Sequence, residues 1–391
     1  MTKLFDKTWT RRGIAAYSGQ FSQFAGVELL TLGDGVERGV RCLEFRTGTG
    51  LRFRVMVDRA LDIGMCEYKA APIGWHSPTG FRHPGLHEST DEDGLGWLRS
   101  FSGLHVTCGL DHILGAEEEA AEHYQYRLRK RVFSPLHGRI AHTPGRLIGY
   151  GESWEGDECT LWAEGLVKQA AVFGENLSLW RRIEARVGSN QVRIRDRVTN
   201  EGFSKTPHMM MYHINIGHPV LSEGSRFLAP VRHTRWASHA DNLQWQAVGS
   251  VTQGAPQDCF EEQVYEHAMQ PDPEGVVRMA LVNDRFDAGR GLGLGIQVDA
   301  NQFPHHLQWQ NYRSGMYVMG IEPSTHHVLG KKFASDRGEL IWLSAGAERA
   351  YGVAYDILDG AAEIARYERL IAKAGAPAQE EFPVPTGDWE H

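Results

Sequence analysis

The feature that most constrains this chain is a repeated alternation of apolar and polar residues in short segments. In Leu51–Val57, LRFRVMV, apolar side chains occupy one face while Arg52 and Arg54 occupy the other. A period of two is that of a β-strand, and a polar second face is typical of antiparallel sheets with one side in water. Gly-rich turns such as TLGDGVERG and TGTG separate these segments. We therefore predict an all-β fold, a large antiparallel β-sandwich with few short helices.

A single domain spanning residues 1–391 is the expected organisation. No internal repeat is evident, and no linker divides the sequence into halves of different composition. Residues 1–25 are expected to form a lead-in, and residues 358–391 a C-terminal helix and tail. The clear helical pattern lies at 361–374, where Ile364, Leu370 and Ile371 share roughly one face.

Composition excludes several classes of protein. The formal net charge of −8 leaves no basic surplus to neutralise phosphates, which argues against a nucleic-acid partner. The five cysteines are spread without close pairs, which fits a reducing compartment. The N-terminus lacks an apolar signal core, and no apolar run approaches the roughly 18 residues of a membrane span. We expect a cytoplasmic protein without a membrane partner.

A group of arginines lies in two of the predicted strands, where it alternates with apolar residues. We expect these side chains to form a solvated strand face: Arg181, Arg182, Arg186, Arg193, Arg195 and Arg197.

The segment Pro207–Pro219, PHMMMYHINIGHP, predicts a strand that could floor a polar pocket. Alternation gives one face His208, Met210, Tyr212, Ile214 and Ile216. The other face then carries Met209, Met211, His213, Asn215 and Gly217. His218 stands before a proline and is expected to end the strand.

A second apolar strand, GMYVMGIEPS, ends on Glu322, which Pro323 holds away from helical geometry. Desolvation at the end of a buried strand raises the pKa of a carboxyl, which suits a general base. We therefore hypothesise that His213 and Glu322 meet as an acid–base pair. On the residues alone, a buried structural histidine and an exposed strand-end carboxylate stay open as alternatives.

Residues 72–103 are rich in Pro, Gly, His and Trp and show no period. They predict a long loop with a short helix around Gly94–Phe101, and long loops in compact domains often carry function.

Histidine spacing gives no local metal motif. Pro84 and Gly85 break any helix that would align His83 with His87, and the neighbours within 305–306 and within 326–327 would point apart in strands. We expect no bound metal, although a His or His–carboxylate site assembled from distant strands stays open. The glycines of 291–295 lead into a strand and open no helix, so no cofactor is implied.

Four segments, in this order, resemble the galactose mutarotase-like superfamily, the aldose 1-epimerases, and more closely an uncharacterised subgroup of it. They are Val57–Tyr68 (VDRALDIGMCEY) with Gly74–Trp75, Leu136–Gly138 (LHG), Tyr212–Gly217 (YHINIG) and Gly320–Thr325 (GIEPST). The resemblance covers about residues 25–357. Two departures put the usual hexose substrate in question: His213 and Asn215 are only two apart, and Arg139 follows Gly138 where the family has a second glycine.

The resemblance implies interconversion of sugar anomers by general acid–base ring opening, without a cofactor. Glu322 would be the base and His213 the acid. The implied substrate-binding residues are His137, Arg139, Arg59, Trp75, Asn215, Asp258 and Trp309. Glu262 and Glu266 are rivals of Asp258, and the two arginines could instead pair with an anionic substituent of the sugar.

Two other functions stay open. One is a sugar isomerase or lyase in the same pocket, with or without a metal. The other is a sugar-binding protein without catalysis. The expected partner is a small-molecule sugar, and a homodimer stays open.

Overall fold

The computed structural model describes residues 2–237 and 248–383; for residues 236 and 237 it describes the backbone alone. The first strands of this part of the chain are β1 Thr2–Leu4, β2 Lys7–Trp9, β3 Gly26–Thr31, β4 Arg41–Arg46, β5 Leu51–Met56, β6 Asp62–Tyr68, β7 Ala71–Pro72, β8 His105–Leu110, β9 Glu117–Ala120, β10 Arg131–Ser134, β11 Arg146–Glu155 and β12 Glu158–Ala170. The later strands are β13 Asn176–Arg186, β14 Gln191–Asn200, β15 Thr206–Ile216, β16 Arg226–Leu228, β17 Val231–Ala237, β18 Gln263–Met269, β19 Val276–Asn283, β20 Leu292–Asp299, β21 His305–Asn311, β22 Val318–Ser324, β23 Ile341–Leu343 and β24 Glu348–Asp359.

Two large sheets dominate the fold. The smaller has eight strands in the order β11-β12-β13-β14-β24-β20-β19-β16. The larger has twelve, ten of them in the order β17-β18-β21-β22-β15-β8-β6-β5-β4-β3, with β23 beside β15 and β7 beside β6. The strand pairs within both sheets are antiparallel, so the predicted all-β antiparallel sandwich is confirmed.

Helices are few and short, as predicted. Besides single helical turns such as Phe286–Gly289, the helices of the described residues are α1 Arg11–Ala15, α2 Gly330–Asp336 and α3 Ala361–Ala372, the last within the predicted C-terminal helix. The short helix expected around Gly94–Phe101 is a helical turn at Asp91–Gly94 followed by a 3-10 turn at Gly96–Arg99. Among the described residues, no helix is long and apolar enough to cross a membrane.

The main core lies between the inner faces of the two sheets. Strand β12 shows why the sequence alternates: its buried residues include Leu161, Ala163 and Val167, and its intervening residues reach solvent. These side chains share one apolar core with Phe53 of the larger sheet and with Leu61 of the turn before β6. Burying an aliphatic or aromatic side chain of this kind contributes about 1.5–3 kcal/mol.

Arg181 corrects the prediction of a solvated arginine face. Arg193, Arg195 and Arg197 of the adjacent strand β14 are exposed as expected, but Arg181 is fully buried between the sheets. The reason is a partner on each side, since its guanidinium donates to Asp196 of β14 and to Asp62 of β6. A buried arginine is stable only when it is paired in this way.

Strand β15 is buried at every position because both of its faces are covered. Met210, Tyr212 and Ile214 point into the core between the sheets, which confirms the predicted division of faces. Met209 and Met211 lie on the outer face, in a second apolar cluster with Trp97 and Phe101. The predicted polar face of this strand therefore lies beneath the long loop 72–103.

Candidate active site

Two neighbouring strands of the larger sheet bring the hypothesised pair together. Strand β15 pairs with β22, and the register that sets Ile214 against Ile321 places His213 opposite Glu322. His213 Nε2 lies 3.1 Å from Glu322 Oε1. Both residues are almost wholly buried, with relative exposures of 4% and 3%. Strand pairing thus joins an imidazole and a carboxyl that are far apart in sequence.

Asn215 sets the orientation and tautomer of the imidazole. Its amide nitrogen donates to the carbonyls of Gly103 (3.0 Å) and His213 (3.2 Å), so Oδ1 is the atom that faces the ring. His213 Nδ1 contacts this oxygen and must be the donor. In a neutral ring, Nε2 therefore presents its lone pair to Glu322. An ionised carboxylate at 3.1 Å would repel that lone pair, and Oε1 has no hydrogen-bond partner among the described residues.

Burial shifts both groups toward their neutral forms. Burial, with a smaller effect from the charge of Glu262, raises the pKa of Glu322 to about 8. Burial lowers the pKa of His213 to about 3, although its hydrogen bond to Asn215 opposes this shift. The pair therefore holds one proton across the neutral range and carries it mainly on the carboxyl.

Four rings enclose the imidazole of His213. The centroid distances are 4.8 Å to Phe101, 5.3 Å to Trp309, 5.6 Å to His137 and 5.7 Å to Trp97. These rings exclude water, which is why burial dominates both pKa shifts. Flat aromatic faces also suit the C–H faces of a sugar ring.

Trp97 and Phe101 were not singled out in the sequence, although the loop that carries them was expected to be functional. They stack on each other with ring centroids 3.9 Å apart. The sequence does contain a signal for them, since GWLRSF puts two large aromatics four residues apart in a loop otherwise rich in Gly, Pro and His.

His137 reaches the site from a tight turn. Its own φ is +57°, and a Cβ on the following Gly138 would come within 2.2 Å of the Gly109 carbonyl oxygen. Only glycine fits such an approach, which explains the His-Gly sequence. His137 Nδ1 accepts from the backbone N–H of Leu114 at 3.3 Å, and burial holds the pKa of the ring well below its usual value. The neutral ring therefore carries its proton on Nε2, where it can donate to a ligand.

Gly320 makes room for the pair on strand β22. A Cβ at this position would lie 2.6 Å from Glu322 Oε1, 3.1 Å from His213 Cε1 and 3.3 Å from the Cβ of Trp309. The glycine therefore serves the geometry of the carboxyl two residues later.

Of the three rival carboxylates Asp258, Glu262 and Glu266, Glu262 is the one whose charge acts on Glu322. It accepts from Trp309 Nε1 at 2.8 Å. Asp258 is exposed and accepts from Ser314 Oγ at 2.7 Å. Glu266 lies with two histidines farther along the same sheet.

The contacts of the remaining predicted binding residues are with groups other than the His213–Glu322 pair. Trp75 packs on Phe101, with ring centroids 5.3 Å apart. Arg59 is buried and donates to the carbonyls of Arg82 and Ser100, so it anchors the loop over the site. Burial lowers the pKa of Arg59 to about 10, although the charges of Asp62 and Glu37 oppose this shift. Arg139 donates to a backbone carbonyl through Nη2.

Among the described residues, 2–237 and 248–383, one group of side chains could hold a metal ion. It consists of Glu266, His305 and His327, whose ligand atoms all lie within 4.8 Å of one another. His305 and His306 do point apart, as predicted, but His305 meets His327 from a different segment.

Comparison with known proteins supports the fold. A family model described as "Domain of unknown function (DUF4432)" matches residues 37–357. The crystal structure of a "putative aldose 1-epimerase" from Klebsiella pneumoniae is similar, with a TM-score of 0.80 and 25% identity over 92% of this chain and 90% of that one. A galactose mutarotase-like protein from Clostridium acetobutylicum has a TM-score of 0.55 and 10% identity, over 85% and 98% of the two chains. No curated protein matches the chain by sequence. The predicted resemblance to the galactose mutarotase-like superfamily is thus confirmed for the fold.

Proposed function

The chain belongs to the family described as "Domain of unknown function (DUF4432)", and from that premise we propose that it interconverts the anomers of an aldose or of a modified or acidic sugar. The observation that carries the proposal is the 3.1 Å approach of His213 Nε2 to Glu322 Oε1 inside an aromatic enclosure. The names of its structural relatives, an aldose 1-epimerase and a mutarotase-like protein, agree with this class of reaction.

The reaction needs one base and one acid. A base removes the proton of the anomeric hydroxyl while an acid protonates the ring oxygen, and the C1–O5 bond breaks to give the open aldehyde. Rotation of the carbonyl and closure, with the same two proton transfers reversed, give the other anomer. A pair that holds a single proton supplies both roles, because one member can accept while the other donates.

We assign Glu322 as the base and His213 as the acid. This assignment needs the proton on His213, whereas burial favours it on Glu322. A bound sugar changes that balance because its hydroxyls hydrogen-bond the carboxylate and reduce the cost of its charge. The proton then moves across a 3.1 Å gap. Asn215 stabilises the imidazolium by accepting from Nδ1.

The surrounding residues would position the sugar. His137 would donate from Nε2 to a hydroxyl, and Trp309 would cover one sugar face with its ring held by Glu262. The buried Nη1 of Arg139 has no hydrogen-bond partner among the described residues. The Arg139 guanidinium could therefore pair with an acidic substituent of the sugar.

The first test is anomer exchange by saturation-transfer NMR over a panel of aldoses and sugar acids. We expect exchange with the wild-type protein and a loss of about 10²–10⁴-fold in Glu322→Gln, because the amide cannot accept the proton. Glu274→Gln, at an exposed carboxylate, is the matched control and should leave exchange unchanged. Undiminished exchange in Glu322→Gln would remove Glu322 from the mechanism.

The same panel separates the alternatives. A sugar that binds in calorimetry but shows no exchange at any pH would favour a binding protein without catalysis. A new sugar or an unsaturated product in the NMR spectrum would favour an isomerase or a lyase.

A further inference from the structure

Glu266, His305 and His327 converge from three segments of the chain onto one point. His327 Nδ1 lies 2.6 Å from Glu266 Oε1, and His305 Nδ1 lies 3.3 Å from the same oxygen. The two imidazole rings are in contact, with centroids 3.9 Å apart. Two nitrogen donors and one carboxylate oxygen thus point inward from β18, from β21 and from the segment after β22.

The neighbouring structure holds the carboxylate in this orientation. Glu266 is 1% exposed, and its second oxygen accepts from the backbone N–H of Val328 at 3.0 Å. That bond leaves Oε1 directed at the two rings. Outer hydrogen bonds of this kind are what orient the ligands of metal sites.

His305 contributes a nitrogen that the protein itself satisfies only weakly. Its buried Nδ1 has a long 3.3 Å contact with Glu266 Oε1, an oxygen that is already hydrogen-bonded to His327 Nδ1 at 2.6 Å. A buried polar nitrogen with so weak a contact needs an explanation, and a metal ion shared with Glu266 and His327 is one.

We propose that Glu266, His305 and His327 form a binding site for a divalent transition-metal ion. Two imidazoles and one carboxylate are the protein ligand set of catalytic zinc sites with an open position, and the same set suits Fe²⁺ or Mn²⁺. Three protein ligands leave at least one coordination position for an oxygen of a small molecule.

The site stands on the same sheet face as the His213–Glu322 pair. In the strand register Glu266 pairs with Leu307, and Leu307 pairs with Glu322. Residues in direct register project to one face of the sheet. Two strand spacings place the Cα atoms of Glu266 and Glu322 roughly 10 Å apart. A sugar oxygen distant from the anomeric centre is therefore the expected occupant of the open position, an assignment that rests on the proposed function.

Metal binding is tested without any sugar, so its outcome is independent of anomer exchange. Full-length protein freed of metal by a chelator is dialysed against Zn²⁺ or Co²⁺, and the bound metal is measured by atomic emission. We expect one equivalent, with affinity reduced about 100-fold or more in Glu266→Gln and in His305→Gln. The control is His218→Gln, at an exposed histidine outside the cluster, which should bind as the wild type does.

A second measurement uses the wild-type protein alone, in case a variant fails to fold. Zn²⁺ should protect His305 and His327 from carbethoxylation, mapped by mass spectrometry, and should leave His218 reactive. Absence of stoichiometric metal, or binding that both variants retain, would overturn the site. If exchange occurs while no metal binds, the metal site is refuted and the proposed function stands. If metal binds and no sugar exchanges, the metal site stands and the proposed function is refuted.

Discussion

At the residue scale, the proposed chemistry rests on the single proton that burial leaves to His213 and Glu322. Asn215 commits Nδ1 of His213, so Nε2 is the ring nitrogen that lies 3.1 Å from Glu322 Oε1. Burial disfavours both the carboxylate and the imidazolium. The pair is therefore a reservoir of a single proton whose position a bound ligand can change.

The burial of Glu322 predicts a pH-dependent stability. Its folded pKa of about 8 is raised from the ordinary value of 4.5. The protonated form is favoured in the fold, so this contribution is fully present below pH 4.5 and is lost as pH rises toward 8. The loss is at most about 1.4 kcal/mol per pH unit over that interval.

Glu322→Gln lacks this titration, so we expect its stability relative to the wild type to improve from pH 5 to pH 8 by a few kcal/mol. Urea unfolding at several pH values measures the difference. In Glu274→Gln, where the carboxylate is exposed, the difference should stay flat. A constant difference for Glu322→Gln would mean that the carboxyl is already ionised in the fold.

At the element scale, strand β22 is shaped around its carboxyl. Gly320 precedes Glu322 by two residues and lies on the same face, where an added Cβ would meet atoms of Glu322 and His213. The strand thus gives up a packing residue to keep the space in which Glu322 and His213 approach each other.

Gly320→Ala should separate activity from stability. The added Cβ would come within 2.6 Å of Glu322 Oε1, the far end of a flexible side chain, so the carboxyl moves while the backbone stays. We expect exchange to fall by about 10²-fold, the usual effect of a 1 Å displacement, and stability to change by about 1 kcal/mol.

Exchange rates and thermal unfolding measure the two effects of Gly320→Ala. The control is Gly33→Ala, where an added Cβ meets no atom within 4 Å. Wild-type exchange in Gly320→Ala would show that the observed position of the Glu322 carboxyl is not the active one.

At the scale of the whole molecule, a buried charge network joins the two sheets beneath the site. Arg181 and Asp196 belong to the eight-stranded sheet, while Asp62 and Tyr212 belong to the other. Tyr212 donates to Asp196 at 2.7 Å. Because Tyr212 directly precedes His213, the same strand is held on its inner face and presents His213, the proposed acid, on its outer face.

Removal of the central cation should destabilise the whole sandwich. Arg181→Met leaves Asp62 and Asp196 buried without their partner, and breaking a buried pair in this way costs about 3–5 kcal/mol. Equilibrium urea unfolding measures the loss. Arg195→Met changes an exposed arginine of the same sheet and should cost less than about 0.5 kcal/mol. A similarly small loss for Arg181→Met would contradict the role of the network.

The sequence by itself determined the features that depend on the local alternation of apolar and polar residues, namely the strands and the faces of their side chains. Alternation in segments such as 51–57 predicted the antiparallel strands, and the same rule assigned His208 and His213 to opposite faces of β15. The order of four motifs indicated the superfamily. Within a strand the backbone alone decides which way a side chain points, so these features needed no knowledge of partners.

Only the tertiary structure decided which residues meet across strands and sheets. The pattern that exposes Arg195 could not reveal that Arg181 faces two carboxylates, because Asp62 arrives from the opposite sheet. Nor could spacing show that His305 meets Glu266 and His327, which depends on the register of β18, β21 and β22. Burial and long-range pairing, not local period, set the ionisation of the groups that would carry out the chemistry.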